Sequence, residues 1–262
     1  MKAVNRRADL RIHAGIISAA IAVALITLWE MMARAGMISP LLAPAPSAVI
    51  RTLVRQIMSG ELAPHVIATL SRTLTGLLIG GSAGIAAGIA MGLVPRFRAI
   101  ADPFVAAIHP LPKIAILPVV MAILGIGDTS KIAVISLTVF FPMMINTLGG
   151  VTQISRTHLD VARNYGASGW RLFARVILPA SLPMMFAGFR IALNLALLIA
   201  ISIEIASASV GLGALIWISW EVLRIDVLYA ALLVIMALGV SFNQLVRFLT
   251  ARMVPWSGER RR

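Results

Sequence analysis

The sequence has no cysteine, few charged residues (13%), few aromatics (6%) and only 10 acidic side chains. Without cysteine there is no thiolate nucleophile, iron–sulfur cluster, thiolate zinc site or disulfide framework. The shortage of charge excludes more. A soluble domain carries about a quarter charged residues and about half apolar ones. Here the apolar share is 60% and the mean hydropathy +0.95, which leaves too little polar surface for a water-facing globule. Also missing are a G-x-x-x-x-G-K-[ST] phosphate loop and an H-E-x-x-H pair; His13, His65, His109 and His158 are scattered. No catalytic residue, metal site or cofactor is therefore expected on this chain.

What is present is a series of long apolar runs, each near the roughly 20 residues that cross a bilayer. About six spans are expected, at 13–33, 73–95, 104–127, 131–151, 183–207 and 227–248. The fold class is an all-α membrane protein, with residues 1–262 as one transmembrane domain. Trp29-Glu30-Met-Met is no small-residue cleavage site, so the first run reads as a retained helix. The net charge of +13 is explained by topology. Lys2, Arg6, Arg7 and Arg11 precede the first span; Arg96 and Arg98 follow the second. Arg156, Arg163, Arg171 and Arg175 lie between the fourth and fifth, and Arg247, Arg252, Arg260, Arg261 and Arg262 close the chain. All fall on one face, which the positive-inside rule makes cytoplasmic, with both termini there. Basic residues that flank spans do not make a nucleic-acid surface.

Several features lie within the spans. Gly76, Gly80, Gly84, Gly88 and Gly92 recur every fourth residue, a spacing that lets helix backbones approach. Each step advances about 40°, so the row winds about 160° and should need several enclosing neighbours. It serves either packing within the chain or the seam of a homodimer. His109-Pro-Leu-Pro-Lys-Ile-Ala-Ile-Leu-Pro118 cannot be one straight helix. Lys113 there either attracts an anion on a translocation path or snorkels to headgroups from a helix end. Asn194 and Glu204 are the other pathway candidates. Glu204 has no evident partner, because Arg190 lies about 21 Å away along the helix.

Ahead of the second span, residues 46–60 read as an amphipathic helix on the outer face. Ser47 would be its N-cap and Gly60 its stop; Val49, Ile50, Leu53, Val54 and Ile57 form a stripe opposite Arg51, Arg55 and Gln56. The fourth-to-fifth connection, residues 155–179, reads as helix–glycine–helix. Thr157 and Asp160 would form a capping box, Gly166 the break, Ser168 a second start and Pro179 its end.

This connection resembles the signature loop of binding-protein-dependent ABC importer permeases: Glu-Ala-Ala, three residues, Gly, nine residues, Ile, one residue, Leu-Pro. Asp160-Val161-Ala162 stands for the triplet, Gly166 for the glycine, Val176 for the isoleucine, and Leu178-Pro179 end it. Leu42-Ala-Pro-Ala-Pro46, His65 to Arg72, Gly125 to Lys131, Phe140-Phe-Pro142, Gly188-Phe-Arg190, Glu204, Gly211-Leu-Gly213 and Pro255-Trp256-Ser-Gly-Glu259 are similar to the taurine, sulfonate and nitrate branch. Met121-Ala-Ile-Leu124 departs from it, since that branch usually carries a Trp-Phe pair there.

The resemblance implies a type I ABC importer permease fold in a bacterial inner membrane, moving a small anion such as a sulfonate, taurine or nitrate. It implies cytoplasmic ABC ATPase subunits that hold the ATP and Mg, a second permease copy, and a periplasmic or lipid-anchored substrate-binding protein. It makes the first helix of the loop a coupling helix, with Asp160, Val161, Ala162, Arg163, Gly166, Ala167, Leu178 and Pro179 as coupling residues. The alternative is a stand-alone secondary transporter or channel for a small anion; that fold often shows internal repeats, and none is evident here.

Overall fold

The computed structural model describes residues 2–39 and 41–256, with side chains from Ile16 onward. The side chains of Lys2, Arg6, Arg7, Arg11 and His13, and residues 257–262 with Glu259 and the terminal arginines, lie outside the described residues. Among the described residues eleven α-helices run in order: α1 Lys2–Arg34, α2 Pro46–Ser59, α3 Leu62–Leu93, α4 Pro95–Ile108, α5 Leu117–Leu124, α6 Asp128–Thr152, α7 Arg156–Asn164, α8 Gly169–Leu172, α9 Leu178–Ser207, α10 Leu212–Glu221 and α11 Ile225–Met253. A 3₁₀ turn, Lys113–Ile116, precedes α5, and a π-helical turn, Phe173–Ile177, precedes α9. No strand occurs among the described residues. Five helical stretches are long and apolar enough to cross a membrane, six if the bent pair α4–α5 is one span. The expected count is met.

The helices divide between two compact units, residues 1–63 with 215–233, and residues 64–214 with 234–262. In the first unit, α1 exposes Ile16, Ile17, Ile21, Val23, Leu25 and Leu28, an apolar surface suited to lipid or a partner helix. Near its end, Glu30 accepts from the Ser47 N–H (3.0 Å) and hydroxyl (2.7 Å), and from Arg34. Ser47 is therefore no N-cap: α2 starts at Pro46 with Ala45 in the cap position, and the Ser47 side chain serves Glu30 instead. Gly60 does stop α2, at φ +80°. The buried face of α2 is Val49, Thr52 and Gln56, with Thr52 donating to Asp226 at 2.8 Å. Ile50, Val54 and Ile57 of the apolar stripe are exposed, as an interfacial amphipathic helix allows. The apolar stripe exists, and the buried side carries a polar pair.

In the second unit, α6 and α9 form the core. Val134, Ile135, Val139 and Met143 of α6 meet Ala192, Leu193, Ala196, Leu197, Ala200 and Ile203 of α9. Alanines at helical spacing bring the backbones close, and Gly188 extends this. A Cβ there would sit 2.6 Å from the Asn146 Cβ.

The glycine row of α3 packs on α6 alone. Added Cβ atoms at Gly76, Gly80, Gly84, Gly88 and Gly92 would strike Ile135, Ser136, Phe140, Met144 and Val151 in turn. Several enclosing neighbours are not needed, because the row on α6 also winds. Two parallel helices that wrap around each other in the right-handed sense keep such rows in register.

Helix α3 is longer than its expected 73–95. The charge of Arg72 suggested a boundary, yet that charge is neutralised inside the bundle and the helix runs through it. Helix α9 runs through Pro179, which was expected to end the preceding helix. A proline lacks the N–H that bonds four residues back, and its ring strikes that carbonyl. The π turn opens the backbone at this point, with the Leu178 N–H reaching Phe173 O five residues back.

Candidate functional site

Several places in the second unit carry polar chemistry. Leu93, Thr152 and Leu178 mark one end of α3, α6 and α9, termed here the elbow end; Asp128 and Ser207 mark the latch end.

At the elbow end, α7 projects as a short amphipathic helix with no buried residue. Its N-cap is Ser155, whose hydroxyl accepts from the His158 N–H at 3.3 Å; Thr157 lies inside the helix, so the expected capping box does not form. The reason is positional: Ser155 is the last residue with extended backbone and takes the cap first. Gly166 follows at φ +79°, a conformation glycine adopts without strain. Its N–H bonds Arg163 O (2.9 Å), and that of Ala167 bonds Ala162 O (2.9 Å). Asp160 and Arg163 face each other at 3.6 Å, both exposed. Val161 is 49% exposed and Tyr165 89% exposed, so apolar and charged groups alternate on an open knob. Leu178 and Pro179 sit where the π turn joins α9.

At mid-depth, α4 and α5 meet at 86° across Pro110 and Pro112. The break lies against Phe141, the fourteenth of the 25 residues of α6, with His109 stacked on that ring at 5.3 Å. Lys113 turns back onto the carbonyls of Ile108 (3.5 Å) and His109, 4.9 Å from the Phe141 ring. Pro112 lacks the N–H that the Ile108 carbonyl would take four residues on in a continuous helix, and the ammonium approaches this freed carbonyl end. Lys113 thus sits on the carbonyl end of the broken helix and does not line the cavity described next.

That cavity, about 710 Å³, lies between α9 and α11 and is lined by Pro183, Phe186, Arg190, Asn194, Arg247 and Thr250 among others. Asn194 was a pathway candidate; the arginines were not. Asn243 joins the two helices, accepting from Arg190 Nε and donating to Asn194 Oδ1, both at 3.4 Å.

At the latch end, Glu204 is fully buried. It accepts from Arg72 Nη1 at 2.7 Å, from the Thr69 hydroxyl at 2.8 and 3.0 Å, and from the Gly213 N–H at 3.0 Å. Arg72, 7% exposed, also donates to Asp128 (2.9 Å) and to Val210 O (2.7 Å). His65 is paired with Gly211, and the Leu212 N–H donates to Thr69 at 2.9 Å. The turn 208–211 is thereby tied to α3 by side chains one helical turn apart. A Cβ at Gly211 (φ +142°) would collide with the Glu204 carboxylate. Glu204 is buried and fully partnered, not open to solvent. Sequence reasoning found the buried acid but missed Arg72 and Thr69, which lie 132 and 135 residues earlier. The three pathway candidates are not brought together in one site.

A helical membrane bundle with an exposed helix–glycine–helix knob and a polar cavity between spans has the parts of a transport permease. No cluster of three metal-ligating side chains occurs among the described residues. Residues 80–255 match the family of binding-protein-dependent transport system inner membrane components, and this chain belongs to that family. It is 34% identical over 240 residues to the taurine transport system permease protein TauC of Escherichia coli K12, covering 90% of this chain and 87% of that one. It is 35% identical over 217 residues to the aliphatic sulfonates transport permease protein SsuC of the same organism, covering 83% and 82%. Its fold is similar to a chain in an inward-facing structure of the MetNI methionine ABC transporter (TM-score 0.61, 18% identity, 73% of this chain and 95% of that one). The protein is thus the multi-pass permease of an ABC importer, a non-catalytic subunit whose system includes an ATPase and a binding protein. A carrier acting alone is excluded by that membership.

Proposed function

We propose that this permease imports a small organosulfonate or a related small oxyanion across a bacterial inner membrane, as a homodimer with both termini cytoplasmic. The similarity to relatives named for taurine and aliphatic sulfonates supports the cargo class. On this reading the elbow end faces the cytoplasm and α7 is the coupling helix, seated in a groove of the ATPase. Asp160 and Arg163 supply polar contacts, Val161 and Ala162 the close apolar surface, and Gly166 with Ala167 the rigid bend. Leu178 and Pro179 fix the join to α9. ATP and Mg stay on the partner. The glycine row belongs to packing within the chain, Lys113 to the broken span, and Glu204 to an outer latch rather than to contact with cargo.

The observation that carries the coupling role is the exposed α7 knob held by a glycine at positive φ. It is tested in proteoliposomes holding the permease, its ATPase and its binding protein, with taurine, short alkanesulfonates and nitrate as probes. The wild type accumulates at least one of them when ATP is present. Gly166→Pro forces φ to about −65°, costing about 3 kcal/mol, and lowers cargo-stimulated ATP hydrolysis at least about tenfold while the subunits still co-purify. Full stimulated hydrolysis in Gly166→Pro would refute the coupling role.

A further inference from the structure

Arg190 is the thirteenth of the 30 residues of α9, about 18 Å from its start and further from its end. In the expected span 183–207 it lies seven residues, about 10 Å, from the elbow-side end, and an arginine within a span is costly unless something neutralises or solvates it. Among the described residues, no carboxylate lies within 4.0 Å of Arg190 or of Arg247; the ion pairs involve Arg34, Arg72, Arg98, Lys131 and Arg163. Both arginines line the same cavity. Arg190 uses its Nε toward Asn243 at 3.4 Å, and its two terminal nitrogens have no hydrogen-bond partner among the described residues.

The spacing is reciprocal. Arg190 and Asn194 stand four residues apart on α9, and Asn243 and Arg247 four apart on α11. Four-residue spacing places each pair on one helix face. Two guanidinium groups with free donors, the Asn194 amide and the Thr250 hydroxyl therefore border one cavity whose other walls, Pro183, Phe186, Ile191 and Val246 among them, are apolar, and Asn243 bridges Arg190 and Asn194. Few polar groups in an apolar wall fix a ligand's orientation, and the guanidinium fork matches a planar or tetrahedral oxyanion better than any other side chain does.

We propose that Arg190, Asn194, Asn243 and Arg247 form an oxyanion-binding station that receives the sulfonate group of the cargo within the membrane. The station deepens the proposed transport reading and rests on it for the identity of the cargo. Arg190 holds the charged group, Arg247 receives it nearer the elbow end, and the asparagines hold Arg190 in place.

The test uses the complete permease–ATPase complex in nanodiscs, with ³⁵S-sulfate and ³⁵S-taurine as binding probes, alongside taurine uptake in proteoliposomes. Arg190→Gln and Arg247→Gln are each expected to weaken probe binding about 10- to 100-fold, the range of one charged hydrogen-bond set. Arg190→Lys, which keeps the charge without the fork, should recover part of it. Thermal midpoints should stay at wild-type level. Unchanged binding in both glutamine variants, with wild-type taurine uptake intact, overturns the station and leaves the cargo class standing. Arginine-dependent sulfate binding without any uptake of taurine, alkanesulfonates or nitrate supports the station and overturns the cargo class. Sulfate binding that is lost in phosphatidylglycerol discs but present in phosphatidylcholine discs, with uptake indifferent to Arg190→Gln, assigns the arginines to a lipid phosphate and overturns the station.

Discussion

Replacing Glu204 by alanine should open the latch turn without unfolding the bundle. The carboxylate accepts three sets of donors: Arg72, Thr69 and the Gly213 N–H. Removing it leaves a buried hydroxyl and a buried N–H without their acceptor. Arg72 keeps Asp128, whose side chain is 61% exposed, and the Val210 carbonyl. Breaking a buried pair from one side costs about 3–5 kcal/mol, and the surviving contacts of Arg72 place the expected value at the lower end of that range. An opening equilibrium displaced by about 3 kcal/mol changes by roughly 150-fold. The absence of native cysteine makes this measurable. Ala214, 1% exposed, lies just past the turn; Ala214→Cys places a single thiol that reacts with maleimide only when the turn lifts. In the Ala214→Cys background, Glu204→Ala should accelerate labelling by about two orders of magnitude or more, and Glu204→Gln, which keeps one acceptor toward Arg72, by less. Equal labelling rates with and without Glu204 would refute the argument that the carboxylate holds the turn.

Two further substitutions probe close packing. Gly80→Ala drives a Cβ onto the Ser136 backbone carbonyl, whereas at Gly81 the nearest atoms are 3.9 Å away. Gly80→Ala should therefore destabilise the detergent-solubilised permease by about 1–3 kcal/mol. Gly81→Ala should be neutral or stabilising by up to about 1 kcal/mol, a contrast readable in denaturation midpoints. Gly211→Ala adds a strained φ to a collision with Glu204. It should raise Ala214→Cys labelling as Glu204→Ala does, and the two changes combined should be clearly less than additive.

The sequence reveals most where one segment carries the whole signal. The proline break at 110–112, the stop at Gly60 and the Gly166 bend each follow from a backbone property of the residue itself, and each lies where expected. Pairings between distant segments are different. Arg72 looks like a flanking arginine until α9 delivers Glu204 to it; nothing local distinguishes a charge at a membrane surface from one neutralised 132 residues later. The same limit applies to α2, where nothing local signals that Thr52 pairs with Asp226, 174 residues later. The glycine row announced close contact, but a straight-helix picture overestimated its neighbours because the curvature of the partner is absent from a one-helix argument. The π turn depends on Pro179 breaking a helix that the core contacts of α9 sustain. The arginine–asparagine pairs were legible as four-residue repeats in apolar spans, yet only their meeting at Asn243 makes them one cavity.

Helix α9 links elbow, cavity and latch mechanically. The elbow joins it through the π turn, Arg190 and Asn194 lie at its middle, and Glu204 lies in its last turn. Its alanines and Gly188 lock it against α6 by near-backbone contact, and an interface packed that tightly slides or rotates as a body rather than bending. A displacement imposed on α7 therefore reaches the cavity and the latch along one rod, whose compliance is concentrated at 173–177, where the helical hydrogen bonds are already widened. That arrangement explains why the fully paired carboxylate belongs at the far end of the rod. On the proposed reading of α7 as the coupling helix, a latch worth about 3 kcal/mol would hold this turn closed against thermal motion until ATP binding on the partner, transmitted through the elbow, releases it.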